Sequence, residues 1–179
     1  MKIRADLRVN GGERRLLLVS GPNELDARLA NKLAAALLFW DDEPLFDAGA
    51  KIPALADFEF LPDALGLDAE GGVKLWVECS TTTVHKLTKI TRRAPRARVI
   101  VLKETERDAQ RLRSELDSGF DRPERVEVLA WPGDSFKAWR AAVGETTEVY
   151  GEAGGLSINA VVNGVPFAVD LRRLAAPAP

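Results

Sequence analysis

Two carboxylates and a pair of lysines carry the chemistry that this sequence offers most clearly. Asp63 follows Pro62, and fifteen residues later Glu78 ends the strand-like run "VKLWVE". Between them, Ala69-Glu70-Gly71-Gly72 reads as a hairpin turn. A two-residue loop pairs Ala69 with Gly72, and a four-residue loop pairs Asp68 with Val73. Both give one register, which sets Asp63 opposite Glu78 on the same face of the sheet. A three-residue loop would slip the register by one residue and send the two acids to opposite faces. Facing carboxylates repel unless something compensates them. A hard divalent cation, Mg²⁺ or alternatively Mn²⁺, would do so with carboxylate and water oxygens. The bland alternative is a pair of solvated hairpin charges.

"TTTVHKLTKITRRA" follows as a helix, capped by Ser80, Thr81 or Thr82. With a start near Thr82, Lys86 and Lys89 lie about 6 and 10 Å along its axis. Three residues apart, they share a helix face and could both look toward Glu78. Each could also be a solvated lysine. His85, the lone histidine, is a surface residue or a proton-transfer group. Cys79 alternates away from Glu78 into the core. Trp76 shares the Glu78 face, as packing or as a stacking platform. "TRRAPRAR" then sets Arg92, Arg93, Arg96 and Arg98 within seven residues. Their planar forks suit the phosphates of nucleic acid, on the same side as the carboxylates if the helix runs that way. The alternative is a solvated helix end whose arginines complement the macrodipole.

The elements that must position these residues read as one α/β domain. The 179 residues suffice for a single core, and 46% apolar with 29% charged residues is ordinary globular composition. A hairpin opens the chain, with "KIRADLRV" and "RRLLLVS" around Asn10-Gly11-Gly12. "PNELDARLANKLAAALLFW" repeats leucine at helical spacing and predicts an amphipathic helix with Pro22 in its first turn. Residues 41–53 read as a loop. "FEFLPDALGLD" and "VKLWVECS" form a second hairpin. "RARVIVLK", the helix "ERDAQRLRSELDSG" with its Gly119 stop, "ERVEVLAW" and the short helix "DSFKAWRAAVG" alternate β and α, which predicts parallel pairing. A last hairpin turns at Asn163-Gly164. The expected architecture is a mixed sheet flanked by helices, with hairpins at both ends, over residues 1–174, and a frayed tail at 175–179. The net charge of −2 argues against non-specific coating of nucleic acid. The single cysteine excludes an internal disulfide, and no run of apolar residues reaches membrane-spanning length, so a soluble, cytoplasmic protein is expected.

"Pro62-Asp63 … Glu78-Cys79-Ser80" is close to the PD-(D/E)XK nuclease signature, with Ser80 where that pattern has lysine. More broadly, the sequence resembles the YaeQ family, a small bacterial group with a fold of the PD-(D/E)XK type. The resemblance lies in "PNELDARLANKLAAALLFWDDEPLFDAG", in "VKLWVECSTTTVHKLTKITRRAPRARVIVLK" and in "SINAVVNGVPFAVDLRRL". It implies a restriction-endonuclease-like core, Glu24 as a helix acid and further metal ligand, Glu78 as the acid of the family's strand, and Lys89 as the displaced lysine. Asp63 matches less closely, and Asp57 competes for the upstream acid. The implied activity is Mg²⁺-dependent hydrolysis of nucleic acid, with Asp63, Glu78 and Glu24 on the metal and Lys89 or Lys86 beside the attacking water. Ser80 favours a second reading, a catalytically inactive descendant that binds nucleic acid or a protein partner.

Overall fold

The computed structural model describes residues 1–49 and 51–175. It contains two sheets where the sequence predicts one. The first has the order β10-β9-β8-β1-β2 and comprises β1 (Lys2–Val9), β2 (Gly12–Val19), β8 (Thr146–Gly154), β9 (Ser157–Val162) and β10 (Val165–Asp170). Along β1, Ile3, Ala5, Leu7 and Val9 point inward and the alternate residues face solvent. Asn10 and Gly11, both at positive φ, make the tight turn expected between β1 and β2. β8 has no counterpart in the sequence reading, yet it joins the hairpins at the two ends of the chain by running parallel to β1 and antiparallel to β9. Its two closing glycines and polar alternate positions mask the strand pattern.

The second sheet has the order β11-β7-β6-β5-β4-β3, from β3 (Leu45–Phe46), β4 (Ala64–Leu67), β5 (Val73–Cys79), β6 (Arg98–Lys103), β7 (Val126–Ala130) and β11 (Arg172–Leu174). β5, β6 and β7 are parallel, joined by α2 (Val84–Arg93) and α3 (Glu106–Gly119), as the alternating pattern predicts. The predicted strand ahead of Pro62 does not form; pairing on β4 starts at Ala64. β11 brings the chain back from the first sheet to the edge of the second. Of the expected frayed tail, residues 176–179 lie outside the described residues.

α1 (Asp26–Leu38) and α4 (Ser135–Ala142) lie between the sheets, and α2 and α3 cover the far face of the second. α1 begins four residues later than Pro22, which instead forms a turn with Asn23 at φ 66°. It is not a surface helix. Leu29, Leu33 and Leu37 and the alanines between them are all buried, which a helix pressed between two sheets requires. Small alanines let both sheets approach. Asn31, in its middle, accepts a hydrogen bond from Trp131 Nε1 at 2.8 Å, so the buried amide has a partner. No helix among the described residues is long and apolar enough to cross a membrane.

Where β8 crosses β9, Gly151 (φ 156°) pairs with Ala160, and a Cβ on it would lie 2.4 Å from Asn159 O. Gly151→Ala must therefore push the strands apart. It is expected to lower the stability read by urea unfolding by about 1–3 kcal/mol.

Candidate functional site

Glu24, Asp63, Glu78 and Lys86 come from four different parts of the chain and gather at the C-terminal end of β5. The turn that precedes β5 is the three-residue loop expected to separate the acids: Asp68 N donates to Gly72 O at 2.8 Å, and Gly71 takes a positive φ. A bulge at Lys74 cancels the slip, because Gly66 pairs with Leu75 while Leu67 pairs with Val73. Ala64 therefore still pairs with Val77, and Asp63 still reaches the level of Glu78.

The two carboxylates nevertheless do not form one clamp. Asp63 is drawn to α1, on the sheet face that carries Val77 and Cys79. Its Oδ1 and Oδ2 accept from Arg28 Nε at 2.8 Å and Nη2 at 2.9 Å, and Oδ2 also accepts from Cys79 N at 2.7 Å. Glu78 is held on the other face, with α2. Its Oε1 accepts from Trp76 Nε1 at 2.7 Å and its Oε2 from Lys86 Nζ at 2.7 Å. Asp63 is 4% exposed and Glu78 is 0% exposed. Lys32, almost buried on α1, lies 2.8 Å from Glu24, 3.2 Å from Asp47 and 3.7 Å from Asp63. Glu24 stands just ahead of α1, where its Oε2 accepts from Gly21 N at 2.8 Å. Its Oε1 is buried, and although Lys32 Nζ is close, the approach is not aligned as a hydrogen bond.

Burial and pairing set the acidities. Burial pushes the Glu78 carboxyl above its usual range, and the nearby Asp63 charge adds to this, outweighing the help of Lys86 and Trp76. Burial acts the same way on Glu24, but there Lys32, the Gly21 N–H and Arg28 prevail and hold the pKa low. Lys32 and Arg28 are raised in spite of burial by the carboxylates around them. The Cys79 thiol, fully buried on the opposite face from Glu78 as expected, is pushed far up by desolvation.

Other predicted residues fall elsewhere. Lys89 does not reach Glu78. It pairs with exposed Glu59 at 2.6 Å, and Lys86 is the lysine of α2 that reaches Glu78. α2 starts at Val84, later than predicted, with Thr83 Oγ1 as its cap, and this sets Lys86 on the turn nearest β5. Asp57 is exposed and outside the cluster, whereas Asp63 is buried within it. His85 is exposed. Trp76 is buried packing, with an unexpected second role as the donor to Glu78. The arginine run is not beside the carboxylates. α2 leads away from the end of β5, and Arg98 opens β6 level with Leu75, so Arg92, Arg93, Arg96 and Arg98 sit at the opposite end of the sheet. The cations that do face the acids, Arg28 and Lys32, were missed. Their signal is present, since Glu24, Arg28 and Lys32 are spaced by four and fall on one helix face.

The same two-sheet arrangement recurs in solved structures. A YaeQ protein from Xanthomonas axonopodis pv. citri matches with a TM-score of 0.74 and 20% identity, over 98% of each chain. A YaeQ protein from Pseudomonas syringae matches with a TM-score of 0.75 and 15% identity, over 97% of this chain and 95% of that one. The fold is that of the YaeQ proteins. No family model and no curated protein matches the sequence. The YaeQ fold thus accounts for the layers that bring α1, β4, β5 and α2 to one point.

Chemically, four carboxylates here, Glu24, Asp47, Asp63 and Glu78, face three cations, Arg28, Lys32 and Lys86. Among the described residues, no group of three or more His, Cys, Asp or Glu side chains is arranged to hold a metal ion. Both oxygens of Glu78 and both of Asp63 already accept hydrogen bonds from the protein. As built, this closed set does not fit a divalent cation.

Two outcomes follow. Lys86→Ala strands a buried carboxylate and is expected to cost about 3 kcal/mol in urea unfolding at neutral pH, while Lys89→Ala leaves the midpoint nearly unchanged. Equal effects would mean that Glu78 does not depend on Lys86. The second concerns pH. The native state holds the Glu78 proton more tightly than the unfolded chain, so this group's contribution is full below the ordinary value of 4.5 and is lost as pH rises through the raised native value. The stability of the wild type relative to Glu78→Gln should therefore fall as pH rises from 4.5. A constant difference across that range would contradict the assignment.

Proposed function

We propose that this chain is a YaeQ-family protein whose site derives from the PD-(D/E)XK nuclease pattern, and that it works by binding rather than by hydrolysis. One observation carries the reading. Glu78, the acid that the pattern would place on the metal, is fully buried with each oxygen taken by a protein donor, Trp76 on one side and Lys86 on the other. Metal-assisted phosphodiester hydrolysis needs carboxylate oxygens free for a cation that also keeps waters, and room for the phosphate beside them. The Arg28 fork withholds Asp63 in the same way. In this reading the cluster fixes the junction of α1, β4, β5 and α2, and contact with a partner is made elsewhere on the surface.

The hydrolytic reading turns on one atom. Glu24 Oε1 is a buried carboxylate oxygen whose partner is the Lys32 ammonium at 2.8 Å, a place that a metal cation would take only by displacing that lysine. Glu24, Asp63 and Glu78 would then hold Mg²⁺ or Mn²⁺, and Lys86 would have to leave Glu78.

Calorimetry separates the two. Titration with Mg²⁺ or Mn²⁺ to millimolar concentration is expected to give no saturable heat, and mixed DNA and RNA substrates are expected to remain intact. Saturable binding in the wild type that disappears in Glu78→Gln, with cleavage products, would overturn the proposal in favour of a nuclease.

A further inference from the structure

The arginine end of the second sheet contains a groove between the end of α2 and the segment that leads from α3 to β7. Thr88, Thr91, Arg92, Phe120, Arg122 and Arg125 line it. Helix C-termini normally attract arginines for a structural reason, because their carbonyls carry partial negative charge. Here that task is already filled. Arg125 donates to Ala94 O at 3.3 Å, to Ala97 O at 3.2 Å and to Pro95 O, and so caps the turn after α2. Arg113 donates to Pro123 O and Val126 O at 2.9 Å each, and serves the segment after α3.

With those carbonyls satisfied, Arg92, Arg93, Arg96 and Arg122 are left over. All four are exposed, and none makes an ion pair among the described residues. Arg98, next in the run, does not belong with them, because it pairs with Glu127 at 3.3 Å. Asp121 is the acidic residue on the groove wall. Phe120 is half-buried, so part of its ring remains open beside Arg122.

Resting on the reading that this protein works by binding, we propose that the groove holds the backbone of a single-stranded nucleic acid. Unpaired guanidinium forks match phosphate oxygens bidentately. A partly open aromatic ring among them gives a base something to stack on, which an acidic peptide would not use. Arg92, on the groove wall, lies about 9 Å further along α2 than Lys86, so the groove is separate from the carboxylate cluster. The whole chain carries a net charge of −2, so attraction of a polyanion depends on this local concentration of arginines and is sensitive to salt.

The test is fluorescence anisotropy of a labelled single-stranded oligonucleotide with the full chain in EDTA, where metal-dependent cleavage cannot occur. About four phosphate contacts predict a salt slope near −2.8, or an affinity loss of about 50-fold between 50 and 200 mM salt. Arg92→Ala with Arg122→Ala should weaken binding and flatten the slope by about 1.4. Phe120→Leu keeps an apolar side chain without the ring, and should weaken binding with the slope unchanged. Arg4→Ala with Arg8→Ala removes the same charge from the other sheet and should change neither. Three results would each overturn the proposal: no binding at 50 mM salt, a double variant with the wild-type slope, or displacement by poly-glutamate as effective as by unlabelled oligonucleotide. Cleavage in a parallel Mg²⁺ reaction would count against the binding-only reading of the carboxylate cluster and leave the EDTA result standing.

Discussion

Everything at the candidate site depends on one constraint, the burial of α1 between two sheets. A helix in that position can offer no polar face, and Leu29, Leu33, Leu37 and their alanine neighbours meet that demand. Its polar side chains must therefore find partners at once or leave at an end. Asn31 takes the first course, with Trp131. Arg28 and Lys32 take the second, in the first two turns, where the helix emerges beside the ends of β4 and β5. Their charges arrive where Glu24 and Asp63 already stand. Such a network adds little net stability over an apolar replacement, because each ion is stripped of water, but it fixes geometry, since removing any member leaves another unpaired. The register of β4 on β5 and the angle of α1 across them are specified together.

Much of this was legible in the sequence, for identifiable reasons. The parallel β5, β6 and β7 with their crossover helices follow from apolar runs alternating with helical periods, and α3 spans the expected "ERDAQRLRSELDSG" to its Gly119 stop. Asp63 was placed level with Glu78 although the loop was misread, because the bulge at Lys74 compensates the three-residue turn. Bulges leave no reliable mark in local sequence. The joining of the two terminal hairpins into a separate sheet was hidden for a related reason. β8 is a strand by virtue of its pairing with β1, which is distant in the chain, and with β9, while its own residues include two glycines and alternating polar positions. The direction in which each carboxylate turns was also hidden, since it depends on which helix supplies the cation.

The two ends of the second sheet have opposite characters. At the C-terminal ends of its parallel strands, charges of both signs are buried and matched. At the other end, Arg92, Arg93, Arg96 and Arg122 are exposed and make no ion pair among the described residues, while Arg98 pairs with Glu127 and Arg125 caps the turn after α2. Parallel strands impose this separation. A helix that leaves the C-terminal end of β5 must travel back along the sheet before β6 can begin, so α2 necessarily carries Lys86 near the acids and Arg92 and Arg93 away from them. A run of basic residues close to an acid in sequence is thereby remote from it in space. Any surface built from that run acts independently of the acid.

Ser80 bears on whether the lysine of the nuclease pattern has moved or has no counterpart. In a strand that continued past Glu78, residue 80 would share its face, and a lysine there would point at the carboxylate. Here the strand ends at Cys79, and Ser80 turns into the left-handed region at φ 76°. Its N–H donates to Leu102 O, its hydroxyl to Glu104 at 2.9 Å, and its carbonyl accepts from Lys103. All of its polar groups are thus committed to β6 and the residue after it. The backbone at residue 80 no longer aims a side chain at Glu78, whatever residue stands there. The ammonium that reaches the acid must then come from another element, and the first turn of α2 supplies it through Lys86. What this substitution preserves is a partner for a buried charge. The same lysine that satisfies Glu78 also covers one of its two oxygens, and Trp76 covers the other.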